Sequence, residues 1–200
     1  MKKSFLIIIS FLFMSIFIMG MWSIHIYNNL VKLNENVKTQ WSQVENVCQR
    51  RYDLIPNLVN TVKGSADFEK DTLNQIVRER SKAYSFQVDP NNLNQNQINK
   101  FQNLQENLNR YMGKLLLIVE KYPNLKSTEN FHDLQNQIEG TENRINIERN
   151  RFNQQVNNFN IYRNQFPINM IGHFFLEFKN KGYFTSKIES KEPYSVYFYH

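Results

Sequence analysis

Three groups of residues have side-chain types and spacing that could do chemistry. Glu129 and His132 form a Glu-x-x-His pair, which a helix would place on one face. Two such pairs plus two further inward Glu hold the metals of di-iron carboxylate bundles. The chain has four His, and His25, His173 and His200 stand in no such pair. Glu129 also falls in the first turn of an expected helix, where a carboxylate simply favours the helix dipole. The second candidate is Cys48, the chain's one cysteine, which excludes an intrachain disulfide. A thiol nucleophile needs an activating base and some exposure, and no His lies near Cys48 in sequence. The plainer reading is a small buried hydrophobe. No zinc-protease motif, phosphate-binding glycine loop or nucleophile elbow occurs. No catalytic residue, metal or cofactor is therefore expected, and the chain does not read as an enzyme.

The third group is Arg50, Arg51 and Asp53, just before Pro56. These charges suit a recognition patch for a partner or an anionic headgroup. The favoured alternative is structural: they satisfy carbonyls and carboxylates around a helix disturbed by proline. Arg51 decides between the two. Tyr27, Leu30, Asn34, Val37, Trp41, Val44, Cys48, Arg51, Ile55, Leu58 and Val62 alternate spacings of three and four. That is a heptad seam, and a guanidinium on it must find a carboxylate, because desolvating it alone costs several kcal/mol.

The elements that would position these groups are all helical. Residues Phe5 to Trp22 hold no charge, and the apolar stretch to Ile26 would form a helix of roughly 33 Å, enough for a bilayer core of about 30 Å. Lys2 and Lys3 precede it, and Trp22 and Tyr27 suit an interfacial aromatic belt. No small-x-small cleavage site ends the run, and Cys48 lies too late for a lipid anchor. A retained single-pass anchor over residues 1–26 is the expectation. Its orientation stays open: Lys2 and Lys3 favour a cytoplasmic N-terminus, and Lys32 and Lys38 oppose them. Pro56 predicts a kink or restart near Tyr52 to Ile55. A second helix is expected over about Phe68–Phe86, or as a continuation of the first. A third covers about Ile98–Tyr122, stopped by Pro123. A fourth follows a Ser127/Thr128 cap and runs to Phe166, with Phe131, Ile138, Ile145, Phe152 and Phe159 on its seam. Seams with a 3.5-residue period favour near-antiparallel packing. The fold class is thus all-α: an antiparallel bundle of three to four long helices behind one N-terminal transmembrane helix. Residues 27–184 would form the bundle and 185–200 a flexible tail, with Ile168–Phe178 capping the bundle end or lying at an interface.

Composition agrees. Gly and Pro are scarce, at 6 and 5 residues, and the net charge of +6 comes from interleaved signs, with no one-sided basic stripe. Nucleic acid is not an expected partner; membrane lipid, met through the N-terminal helix, is. Asn is abundant and spread along the chain, which reads as a compositional bias on solvent-facing positions.

Several blocks together resemble the LemA family: Trp41-Ser42-Gln43-Val44, Arg50-Arg51-Tyr52-Asp53-Leu54-Ile55-Pro56-Asn57-Leu58-Val59 and Thr61-Val62-Lys63-Gly64. So do Tyr122-Pro123-Asn124-Leu125-Lys126, Glu129-Asn130-Phe131, Gly140-Thr141-Glu142-Asn143-Arg144-Ile145, Phe152-Asn153 and Gln165-Phe166-Pro167. They stand in the family's order, between about Tyr27 and Phe184. The sequence departs from the pattern at Phe152, where Tyr is usual, at Glu148, where a small residue is usual, and in the Asn/Gln-rich loop before Ile98. The resemblance implies a bacterial membrane protein with a helical bundle behind one transmembrane helix, and it supplies no activity or ligand. Spacing alone favours Glu148 as the partner of Arg51; the resemblance favours Glu142, in the same block as Arg144. The polar cluster is therefore expected to comprise Arg50, Arg51, Asp53, Glu142 and Arg144. The expected function is a non-catalytic, membrane-tethered scaffold or adaptor contacting other envelope proteins. The alternative is a bundle that binds lipid or a small molecule in a cavity between its helices.

Overall fold

The computed structural model describes residues 2–63, 70–126, 128–172 and 178–185. Helix α1 spans Lys2–Lys63, α2 Lys70–Ser85, α3 Gln95–Val119, α4 Pro123–Lys126, α5 Glu129–Asn164 and α6 Ile168–Gly172. Among the described residues there is no strand. The all-α bundle is as the periodicity requires.

The first 18-residue apolar window of α1 has a mean hydropathy of 2.5 and none of it is buried, so this helix is long and apolar enough to cross a membrane. Burial begins at Ile26 and follows the heptad seam through Leu30, Asn34, Val37, Trp41, Val44, Cys48, Arg51, Ile55, Leu58 and Val62. The expected boundary between anchor and bundle thus falls inside one unbroken helix. The restart expected at Pro56 does not occur, because α1 stays helical to Lys63 with Pro56 exposed on its outer face. Proline removes one amide donor and so frees the carbonyl four residues earlier, that of Tyr52. Arg80 of α2 supplies the missing donor, its Nε reaching the Tyr52 carbonyl at 2.6 Å. A packed neighbour therefore compensates the proline, and the helix need not end.

Packing order follows from cross-helix pairs. Asn29 donates to the Tyr162 hydroxyl, Gln40 to Glu148 and Arg51 to Glu142. Rising numbers on α1 meet falling numbers on α5, so these two helices run antiparallel. Helix α2 returns along α1, and α3 turns back along α2. The return is made by a turn at Asp89–Asn92, in which Asn92 N donates to the Asp89 carbonyl at 2.9 Å and Asn91 N to Asp89 Oδ1 at 2.9 Å. Asn94 then caps α3, its side chain accepting from Gln97 N at 3.0 Å. Pro123 opens the short α4 after α3 has ended at Val119, the position where a missing N–H is harmless. At the start of α5, Thr128 has the extended backbone of a cap but makes no capping bond through its side chain; Ser127 lies outside the described residues.

Between α3 and α5 lies an element the periodicity did not suggest. Residues 178–185 form an extended strap, with Phe178, Lys181, Gly182 and Phe184 buried. The expected cap at Ile168–Phe178 is only partly described: α6 covers Ile168–Gly172, and Phe178 sets its ring edge-on against Tyr27 at 5.7 Å. Thr185, the first residue of the expected tail, is still held to α3. The rest of that tail lies outside the described residues.

Candidate functional site

Of the five residues expected in the polar cluster, the structure joins two. Arg51 is 1% exposed, and its Nη1 lies 2.7 Å from Glu142 Oε2. Its Nη2 donates to the Gln105 side-chain carbonyl, whose amide donates to the Tyr52 hydroxyl. The Tyr52 hydroxyl donates in turn to the Ala83 carbonyl at 3.3 Å. One polar chain therefore crosses the bundle from α5 through α1 and α3 to α2. Each member reads as a solution to burial: a guanidinium with a carboxylate, an amide with a partner at each end, and a phenol that both accepts and donates. Glu148, the rival partner, is engaged elsewhere, accepting from Gln40 at 2.6 Å and Arg151 at 2.8 Å. Arg50, Asp53 and Arg144 point outward and do not join the chain; Asp53 accepts from Gln49 one turn back at 2.8 Å.

Cys48 is one turn before Arg51 and 1% exposed. Burial pushes its thiol up to about 11, with Arg51 opposing only in part. A thiol held protonated is a poor nucleophile. Burial likewise raises the Tyr52 phenol to about 12 and lowers the pKa of Arg149, which Glu106 and Glu142 partly restore. The small, partly open space beside Arg51, Gln105 and Glu142 is about 40 Å³, enough for a water molecule. Glu129 and His132 are both exposed at the start of α5. Among the described residues, no three His, Cys, Asp or Glu converge as metal ligands would.

The most elaborate recognition surface is the seat of the strap. Four side-chain amides each pair with both backbone groups of one strap residue. Asn160 takes Lys181, donating to its carbonyl at 2.9 Å and accepting from its N–H at 2.9 Å. Gln95 takes Tyr183 at 2.8 and 3.0 Å, Asn153 takes Phe184 at 2.8 and 2.9 Å, and Gln102 takes Thr185 at 2.6 and 3.2 Å. Arg163 donates to the Phe178 carbonyl, and Gly182 N donates to the Leu93 carbonyl at 2.8 Å. Gly182 is obligatory by proximity: a Cβ there would stand 2.6 Å from Gln95 Cα and 2.7 Å from Gln95 N. Phe184 fills an aromatic pocket, stacked on Trp41 at 6.0 Å and edge-on to Phe152 at 5.4 Å, with the Arg149 guanidinium 4.6 Å from its ring centre.

Sequence reasoning missed these amides by treating Asn as compositional. A signal was present: Gln95 and Gln102 are seven apart on α3, as are Asn153 and Asn160 on α5. Each pair therefore forms a stripe beside the apolar seam. The same spacing continues to Asn109 and Asn146, which line a cleft of about 780 Å³ together with Thr185.

With this geometry established, the comparisons narrow the identity. A family model described as the LemA family matches residues 40–198, starting beside Trp41 and continuing past the strap. Among curated proteins nothing matches.

Proposed function

Because the chain belongs to the LemA family, we propose that it is a single-pass membrane protein whose bundle acts as a non-catalytic scaffold or adaptor for other envelope proteins. The observation that carries the reading is α1 itself. One helix of 62 residues, about 93 Å long, serves first as an apolar unburied segment and then as the central seam of the bundle. That design holds a domain rigidly at a membrane. The polar chain Glu142–Arg51–Gln105–Tyr52 is turned toward itself and toward the backbone at Ala83, as structural groups are, although Arg51 Nε and Asn34 Oδ1 are buried without a hydrogen-bond partner among the described residues. The alternative, a lipid or small-molecule site between the helices, calls for a cleft or cavity of several hundred Å³ with a mostly apolar lining. The space beside Arg51 is about 40 Å³, and the cleft of about 780 Å³ between α3 and α5 is lined by polar and charged side chains such as Gln102, Glu106, Arg110 and Arg149, which suits a polar occupant better than an acyl chain.

The test has two parts. Carbonate-washed membranes should retain the full chain with its N-terminal segment intact. Photo-crosslinkers at the exposed apolar positions Val77, Leu117 and Ile161 should then capture the same envelope protein in repeated experiments, and lose it when residues 1–26 are removed. Release by carbonate, or a mature N-terminus beyond Trp22, overturns the anchor. Turnover of a substrate by the purified chain overturns the scaffold.

A further inference from the structure

The α1 seam carries two polar side chains, and the bundle answers them differently. Arg51 meets a carboxylate. Asn34 is 9% exposed, and its Oδ1 is buried with no hydrogen-bond partner among the described residues. A stranded acceptor of this kind is costly, so a donor from outside the bundle is wanted there. Asn34 lines a pocket of about 390 Å³ between α1, the turn before α3 and the beginning of the strap. Leu93 and Phe178 give it an apolar wall. Lys38, Lys179 and Lys181 also line it, and among the described residues no carboxylate does. Lys181 is the buried one of the three, at 6% exposed. Asn160 clamps its backbone on both sides, and its ammonium lies 5.5 Å from the Phe159 ring. Among the described residues that ammonium makes no ion pair. Burial and the nearby charge of Lys38 push its pKa down, against the pull of Asp89 and Glu35. Both carboxylates are engaged elsewhere, Glu35 by Lys38 at 2.7 Å and Asp89 by Asn91 N at 2.9 Å.

We propose that this pocket binds a phosphate ester that also carries a free hydroxyl, glycerol phosphate being the simplest. Two unmet needs define the ligand. The buried ammonium of Lys181, with Lys38 and Lys179 beside it, needs an anion. Lysine answers phosphate as a point charge, whereas a carboxylate is better met by the flat fork of arginine. Asn34 Oδ1 needs a donor, which a hydroxyl supplies and a fully ionised anion such as sulfate does not. The volume is that of a small ligand pocket and well beyond a single water. Such an ester is either free in solution or the headgroup of a lipid. Asn34 stands twelve residues past Trp22, about 18 Å along α1, whereas the headgroup layer is about 5–8 Å deep on each side of a bilayer. That height favours the free ester. The proposal does not rest on the scaffold reading, because the pocket is formed by the bundle alone.

The test follows acetylation of lysines by mass spectrometry in the full chain in mild detergent, with Lys114, far along α3, as internal reference. Half-protection of Lys181 should need about tenfold less glycerol phosphate than sulfate, the worth of one hydrogen bond to the hydroxyl. Asn34→Leu removes the stranded acceptor and keeps the seam apolar. It should leave thermal unfolding unchanged or raised, and bring glycerol phosphate down to the level of sulfate. Lys181→Met keeps an apolar stem over Phe159 and should raise the concentration that half-protects Lys38 and Lys179 about tenfold or more. A second arm places the chain in vesicles of phosphatidylcholine with or without phosphatidylglycerol. Protection by the free ester supports the site with a soluble ligand; protection only in vesicles containing phosphatidylglycerol supports it with a lipid headgroup. Equal protection by sulfate, unchanged by Asn34→Leu, overturns the proposal and leaves an adventitious ion only. No protection of Lys181 by either glycerol phosphate or phosphatidylglycerol overturns the site itself.

Discussion

Replacing Arg51 with Ala should destabilise the bundle by about 4 kcal/mol, within the range of about 3–5 kcal/mol for a broken buried ion pair. The structure sets where in that range the value falls. The Glu142 side chain is 31% exposed and can rehydrate, which lowers the cost of leaving it alone. Gln105 and Tyr52 are 6% and 5% exposed and cannot. Losing Nη2 strands the Gln105 carbonyl in the core, and a stranded buried acceptor costs about 1–3 kcal/mol. The assay is thermal unfolding of the full chain in mild detergent, followed by helical circular dichroism. At about 2–4 °C per kcal/mol for a domain of this size, Tm should fall by roughly 8–16 °C. A double-mutant cycle identifies the partner: Arg51→Ala with Glu142→Gln should show coupling above about 1 kcal/mol, and with Glu148→Gln less than about 0.5 kcal/mol. A shift in stability below about 0.5 kcal/mol for Arg51→Ala would refute the reasoning. Arg51 would then behave as a surface residue, and a recognition role would replace the structural one.

Other outcomes follow from the same geometry. Phe184→Ala should cost about 3–5 kcal/mol in the same unfolding assay, because the ring fills a pocket formed by Trp41, Phe101 and Phe152; a cost under about 1 kcal/mol would mean that the strap is not seated. Stability should fall as pH rises. The unfolded Cys48 thiol loses its proton near its ordinary value of 9.0, whereas the folded one keeps it to about 11. Between those values the folded state binds more protons, so the contribution is whole below pH 9 and is lost as pH approaches 11. Tyr52 extends the decline toward 12. Cys48→Ala should flatten the part of the titration between pH 9 and 10, and an unchanged slope would contradict the burial of this thiol. Elemental analysis of purified chain should find no stoichiometric iron or zinc; metal lost on His132→Ala would restore the carboxylate-site reading.

The apolar periodicity made the bundle legible in the sequence. Every predicted α1 seam position from Leu30 to Val62 is buried, because a strict three–four alternation leaves a helix only one face to hide. The need of Arg51 for a carboxylate was equally legible, since position on a seam implies desolvation. Its choice of Glu142 over Glu148 was not legible from spacing: side-chain reach across a packed interface covers more than one position, and Gln40 had already claimed Glu148. The unbroken run through Pro56 depended on Arg80, a residue on another helix, which local rules do not see. The strap was missed for a related reason. Its backbone bonds to side chains are made by residues 15 to 88 positions away, so nothing within residues 178–185 announces a partner. Only the heptad recurrence of amides on α3 and α5 hinted at it.

Because α1 passes from its apolar segment into the core without a break, the bundle has a fixed angular phase relative to whatever holds the first turns. Each residue of an α-helix advances about 100° around its axis. One alanine inserted between Trp22 and Ile26 would swing the α2 side of the bundle through roughly a quarter turn or more, while seven would bring it back to within about 20°. A surface that must meet a neighbour in the plane of a membrane is therefore aimed by counting residues. The distance from the last unburied apolar side chain to Ile26 is as much a part of that aim as any residue on the surface itself.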